Sequence, residues 1–407
     1  MRSIIANRVI RSILLSAVFL QLGIWVRNFA ILLYVTEQTN QDPVAVSLIS
    51  VAEFAPIFVF SFIGGAFADR WRPKRTMVLC DLLSSASVFL VLLALTLGSW
   101  KAIFLATLVS SVLSQFSQPA GMKLFKLHVP EDRMQAGMSM YQTIQAIFMV
   151  LGPMLGTWVF FRFGIEAAIV IMGIGFLLSA VMLTFLPADR MEENLPKANL
   201  LADMKTGYRY VVSNRMFVYM GGFFLAAGLA LGLINPLGIF LVTENLGLTE
   251  DHLQWLTAAN GIGMFLGGML VMGLSKKSKP QSLLVVGFTA NAAAVAVLGA
   301  AKMLGLALAA QFLSGMMVPF IHIACNTLVI KHAEQAYVGR VTGILNPLFI
   351  GGMVLNMSLV GMLKSGLPLG AIFLMAAGLF LIGAVAALPL LRNRKLMRIE
   401  TAQETFS

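Results

Sequence analysis

Residues 45–75 read AVSLISVAEFAPIFVFSFIGGAFADRWRPKR. From Ala45 to Ala68 the stretch carries one charge, Glu53. A helix of that length crosses about 30 Å of hydrocarbon. Then Asp69, Arg70, Arg72, Lys74 and Arg75 follow in quick succession. An apolar run that ends abruptly in bases reads as a membrane span leaving on the cytoplasmic side. The pattern repeats in both directions. Apolar runs fall at roughly 12–35, 45–68, 77–97, 102–122, 136–160, 165–187, 216–242, 255–274, 282–301, 304–330, 341–362 and 367–391, which predicts an all-α membrane protein of twelve transmembrane helices. The chain of 407 residues is 58% hydrophobic and 12% charged. Soluble domains carry about 25% charged residues, so this composition excludes disorder and an ordinary soluble enzyme. Arg2, Arg8 and Arg11 precede the first run, but the run is too long for a signal peptide and no small-residue cleavage site follows. It is read as the first span.

The bases set the orientation. Of the 29 Lys and Arg residues, only Lys101, Arg162, Lys302 and Lys364 fall between spans on the outer side, and Arg27 lies within a span. The rest cluster on the inner side, so both termini are expected in the cytoplasm and the membrane is expected to be the cell (plasma or inner) membrane. This asymmetry accounts for the net charge of +11 without a nucleic-acid partner. Cys80 and Cys325 lie in apolar runs and form no disulfide framework, and the four His residues show no metal spacing. No phosphate-cradling loop occurs. No metal, no cofactor and no covalent reaction are therefore expected. Trp100 and Trp255 sit at the outer boundary as interfacial anchors.

The spans divide into two sets of six. Residues 1–187 form an N-terminal half, 188–215 a cytoplasmic linker, 216–391 a C-terminal half and 392–407 a tail. Leu200 to Val212 of the linker can form a short interfacial helix. The halves echo one another. Gly64-Gly65 precedes the basic loop at 70–75, and Gly267-Gly268 precedes Lys276, Lys277 and Lys279. Parallel repeats of this kind are a transporter feature, with substrate held between the repeats.

Two motifs point further. The loop from Gly65 through Asp69 and Arg70 to Lys74 resembles the glycine–aspartate–arginine–basic loop signature of the major facilitator superfamily, with Arg72 in place of its second glycine and Pro73 in place of a basic residue. In that family the loop is a conformational latch rather than a substrate site. Gly152, Pro153 and Gly156 of the fifth span resemble the antiporter signature found in that superfamily's exporters, although Phe148 and Thr157 replace two of its glycines. The first-span stretch Gly23 to Thr39, the run Arg75 to Leu82 and Gly339-Arg340-Val341 are similar to the drug:proton antiporter branch typified by macrolide-efflux pumps. The resemblance implies two six-helix halves, alternating access, and export coupled to inward proton flow. It does not fix a substrate.

Ionisable residues in spans are expensive and mark function by default. Arg27 and Glu53 each lie about eight residues from the outer end of their spans, which at 1.5 Å per residue is roughly 12 Å deep. The equal depth predicts an Arg27–Glu53 ion pair, either a proton-sensitive latch or a permanent structural pair. Asp81, also a proton-coupling candidate, is expected to pair with Arg70, Arg72, Lys74 or Arg75. His322, another candidate, is expected to be a buried, hydrogen-bonded neutral histidine. The fourth span lacks the arginine that many exporters of the superfamily use and offers Ser110, Ser114, Gln115 and Gln118 instead. Asn28, Gln142, Gln145, Asn235, Asn260, Asn326 and Asn346 are candidates to line a cavity, with Pro236 and Pro347 breaking their helices. Few charges and many apolar groups suit a drug-like or amphipathic substrate.

The expectation is a proton-coupled exporter of such small molecules, acting as a monomer with substrate, protons and the lipid bilayer as its partners. The rival readings are a dedicated exporter or flippase for one metabolite, siderophore, peptide antibiotic or lysolipid, then an uptake carrier, then a non-transporting receptor or scaffold.

Overall fold

A computed structural model describes residues 8–129, 131–187, 200–274, 278–334 and 337–392, and among them only helices and short turns occur. The first four helices are α1 (Arg8–Gln38), α2 (Pro43–Arg70), α3 (Pro73–Thr96) and α4 (Ala102–His128). A long helical run, Glu131–Thr184, follows. It bends at Gly164, whose φ of 79° and ψ of −179° belong to a region only glycine occupies at low cost. The bend divides the run into α5 (131–163) and α6 (165–184). Ten apolar helical segments are long enough to cross a bilayer. The bend splits one of them, and α4, with 27 residues, completes the twelve expected spans.

Helix α7 (Leu200–Ser213) is the short linker helix the sequence foreshadowed. Asn214 ends it and starts α8 (Arg215–Ile234), its side chain accepting from the Met216 N–H at 3.0 Å. This satisfies one of the free donors at a helix start. Beyond α8 the chain does not stay regular. Pro236 cannot donate, and the backbone runs on through a tight turn at Asn235–Leu237 and a wide turn at Leu241–Asn245. Then come α9 (Leu253–Leu274), α10 (Pro280–Ala300), α11 (Leu304–His332), α12 (Val338–Gly366) and α13 (Leu369–Arg392).

The chain forms two compact units. One comprises Met1–Ala198 with Thr249–Ala258, and the other Asn199–Leu248 with Ala259–Ser407. Within the first, α1 lies against α5 and α6. A Cβ on Gly152 would overlap the Trp25 ring, and one on Gly156 would stand 2.7 Å from the Phe29 Cβ. Ile31, Val35, Val88, Val91, Ile103, Met172 and Phe176 close the core towards the outer end. The short loop after α1 turns through Asn40 and Gln41, both at positive φ, and Gln41 Nε2 donates to Glu250 Oε1 at 3.3 Å.

The second unit uses the same device twice. Gly228 and Gly232 of α8 meet the backbone of Phe349 and Met353 on α12, and Gly263 and Gly267 of α9 meet that of Phe312 and Met316 on α11. Small residues at such crossings let backbones approach where the bilayer supplies no hydrophobic drive between helices.

Gly267 and Gly268 make an internal control. A Cβ on Gly267 would overlap the Met316 carbonyl, and one on Gly268 meets nothing within 4 Å. Gly267→Ala is expected to destabilise the protein by about 1–3 kcal/mol and Gly268→Ala to leave it near wild type. Melting temperatures in detergent check this, and equal values for the two variants would refute the packing.

Candidate polar site in the first unit

Arg27 is buried, with 4% of its surface exposed. A guanidinium has only donors, so it must find acceptors inside the bundle. Its Nε and Nη2 both donate to Asn28 Oδ1, at 2.9 and 2.6 Å. The amide is therefore fixed with its oxygen towards Arg27. Its nitrogen is left to face α2, where Asn28 Nδ2 donates to Glu53 Oε1 at 2.8 Å. The structure thus corrects the expected direct ion pair. Arg27 and Glu53 do share one depth, but successive residues on a helix point about 100° apart, and it is Asn28 that faces Glu53. The cation and the carboxylate communicate through an amide.

The cluster reaches α4 as well. Ser111 Oγ donates to the backbone carbonyl of Glu53, Ser114 Oγ donates to the Ser111 carbonyl at 2.7 Å, and Gln115 Nε2 bonds Ser114 Oγ at 3.0 Å. Polar residues of α4 thus support α2 where the superfamily's arginine is missing. Two groups are left over. Arg27 Nη1 and Thr157 Oγ1 are buried without a hydrogen-bond partner. Thr157 directly follows Gly156, the residue packed on Phe29. Buried unsatisfied donors are rare and invite explanation.

The other candidates divide between the units. Gln145 accepts from Gln21 Nε2 and donates to the Tyr141 hydroxyl at 3.1 Å, joining α1 to α5. Gln142, one helical step away, is exposed. In the second unit, Asn260 Nδ2 bonds the Gln311 carbonyl at 3.3 Å and serves helix packing. Asn235, Asn326 and Asn346 are exposed, and Asn235 Nδ2 stands 3.9 Å from the Met353 sulfur.

Asp81 departs from expectation. It is 3% exposed and accepts from Ser179 Oγ at 2.6 Å, and Ser179 Oγ lies 2.7 Å from Ser16 Oγ. The three side chains join α3, α6 and α1. Arg72 and Arg75 point outward, and Lys74 Nζ donates to the carbonyls of Thr184 and Leu186 at the end of α6. Lysine there serves carbonyls that a helix C-terminus leaves open. His322 is exposed rather than buried, with its ring edge-on to Phe349 at 6.3 Å. Of the loop motif, the packing of Gly65 and the side chains of Asp69 and Arg70 lie outside the described residues, and so does Arg70 as a partner for Asp81.

Sequence reasoning missed Gln21, Tyr141, Ser111, Ser16 and Ser179. Hydroxyls and amides in a span carry no periodic signal. Their partners lie far off in sequence and become visible only once helices are packed.

Twelve apolar helices in two repeated units, with ionisable groups held inside the spans, define a polytopic membrane transporter. The chain belongs to the Major Facilitator Superfamily, whose family model matches residues 13–240 and 223–405. It is 25% identical over 374 residues to the uncharacterized MFS-type transporter YkuC of Bacillus subtilis, covering 88% of this chain and 86% of that protein. It is 21% identical to macrolide efflux protein A of Streptococcus pyogenes (91% and 92% covered) and 26% identical to the multidrug efflux pump Tap of Mycolicibacterium fortuitum (88% and 90% covered). Its fold is similar to that of the nucleoside transporter NupG, with a TM-score of 0.74 at 16% identity over 94% of this chain and 100% of that one. As a member of this family it is a multi-pass membrane transporter with a small-molecule substrate.

The amide bridge yields a stability prediction. Asn28→Ala leaves Arg27 and Glu53 without their shared partner, and a hydrogen bond to a charged group contributes about 1.5–3 kcal/mol. Asn28→Ala is expected to lower the melting temperature in detergent by several degrees, while Gln142→Ala at an exposed position of α5 leaves it unchanged. A silent Asn28→Ala would show that the bridge is not formed in the folded protein.

Proposed function

We propose that this transporter is a proton-coupled exporter of drug-like or amphipathic small molecules. It acts as a monomer in the cell membrane with both termini in the cytoplasm. Alternating access moves substrate outward as a proton moves inward. The single observation that carries the coupling is a carboxyl, Glu53, set within a span and joined through Asn28 to the buried Arg27. The export direction rests on the efflux relatives and on the Gly152-Pro153-x-x-Gly156 sequence, whose two glycines seat α5 on Trp25 and Phe29 of α1.

The chemistry follows from charge. With Glu53 ionised, the Arg27–Asn28–Glu53 cluster is neutral. A proton on Glu53 makes it cationic without breaking the Asn28 bond, because a carboxylic acid still offers a carbonyl acceptor. A cationic substrate held near that cluster would be repelled by it, since like charges interact more strongly inside a protein than in water. Proton and cationic substrate thus disfavour each other, and each biases the equilibrium between the inward- and outward-facing states. Arg27 Nη1, unbonded in the resting cluster, gains a partner in whichever state offers an acceptor.

The test is transport of a macrolide and of a lipophilic dye into proteoliposomes under an imposed pH gradient. Wild type is expected to accumulate substrate against its gradient. Glu53→Gln is expected to lose that accumulation by more than about tenfold while still exchanging substrate down its gradient. Unchanged gradient-driven accumulation in Glu53→Gln would overturn the assignment.

A further inference from the structure

The linker helix α7 has two faces of different character. One is held by the protein. A Cβ on Gly207 would stand 3.0 Å from the Arg340 Cβ and 3.3 Å from the Ile344 Cδ1, both on α12. Tyr210 stacks on Tyr337, with centroids 4.2 Å apart and planes 12° from parallel, and its hydroxyl accepts from the Glu334 N–H at 3.2 Å. The Arg340 guanidinium covers the Tyr337 ring at 5.1 Å. Val211 is buried on the same side. Ile344 lies one turn further into α12 than Arg340, so α7 runs alongside the first turns of a spanning helix rather than over its tip.

The opposite face is exposed. Lys205, Tyr208, Arg209 and Val212 follow an i, i+3, i+4, i+7 spacing, which places them on one stripe. Tyr208 is 63% and Val212 52% exposed. Arg215, at the start of α8, continues the stripe's charge and is exposed too. None of these three cations forms an ion pair among the described residues. Only Asn214 separates α7 from the spanning helix α8, so this stripe is tied to the level of the membrane surface. Exposed aromatic and aliphatic groups interleaved with unpaired cations at that level match the chemistry of an acidic interface, where the apolar parts enter the headgroup boundary and the cations meet phosphate.

We propose that the Lys205–Tyr208–Arg209–Val212 face of α7 binds anionic phospholipid headgroups of the cytoplasmic leaflet. The charge asymmetry of the chain places this face on that side, and each cation near an anionic surface favours binding by roughly fivefold. The contact reaches α12 through the Tyr210–Tyr337 stack, so lipid charge acts on the segment that begins that helix. The proposal does not depend on proton coupling, and its test reads lipid contact alone.

The full-length protein carrying Val212→Cys is labelled with a nitroxide, since Cys80 and Cys325 are both buried. It is reconstituted in nanodiscs of phosphatidylcholine alone or with phosphatidylglycerol. Power saturation reads the label's collisions with oxygen and with a water-soluble nickel chelate. Phosphatidylglycerol is expected to lower nickel access by at least about fivefold, and Lys205→Gln with Arg209→Gln is expected to abolish that difference. High nickel access in both lipids would overturn the proposal by turning the face to the cytosol. A label equally shielded in both lipids would overturn it as well, because apolar insertion alone would then account for the contact.

Discussion

Helices in a bilayer gain little by hiding apolar side chains from one another, because lipid tails hide them equally well. Close backbone approach and internal hydrogen bonds must hold the bundle instead. Here that constraint is met by glycines at the crossings. Gly152 and Gly156 seat α5 on Trp25 and Phe29 of α1, while Gly228, Gly232, Gly263 and Gly267 seat α8 on α12 and α9 on α11. Arg27, two residues beyond Trp25, lies on the other side of α1 from that contact and is buried, so its guanidinium bonds inside the unit.

The polar site answers that demand economically in space. Asn28 gives Arg27 an acceptor and offers its own donor to Glu53. Ser111 ties the same turn of α2 to α4. Three helices of the first unit thus converge at Glu53, Asn28 bonding its carboxyl and Ser111 its backbone carbonyl. The arrangement leaves Arg27 Nη1 unbonded among the described residues. A second buried carboxyl, Asp81, is held differently. Among the described residues it accepts from the Ser179 hydroxyl, which in turn bonds the Ser16 hydroxyl.

Much of this was legible in the sequence. The twelve spans and the helix from Leu200 follow from hydropathy and from the distribution of bases. The common depth of Arg27 and Glu53 follows from counting inward from their span ends. What sequence could not supply was angular and long-range. Depth does not say which of two neighbouring residues faces the partner helix, and so Asn28 was read as cavity lining rather than as the bridge. Bases near Asp81 in sequence are conspicuous, whereas Ser179, the donor that meets its carboxyl, is 98 residues away and gives no signal. A mid-span position suggests that His322 is buried, but its ring is exposed and lies edge-on beside Phe349.

Competition of substrate and proton through Glu53 is the core of the proposed mechanism. It is tested most directly by following proton release from the purified protein, in weakly buffered detergent solution, as a cationic dye or a macrolide binds. The account predicts that substrate binding expels a proton from wild type and none from Glu53→Gln. Substrate binding without proton release in wild type, or release that persists in Glu53→Gln, would contradict it.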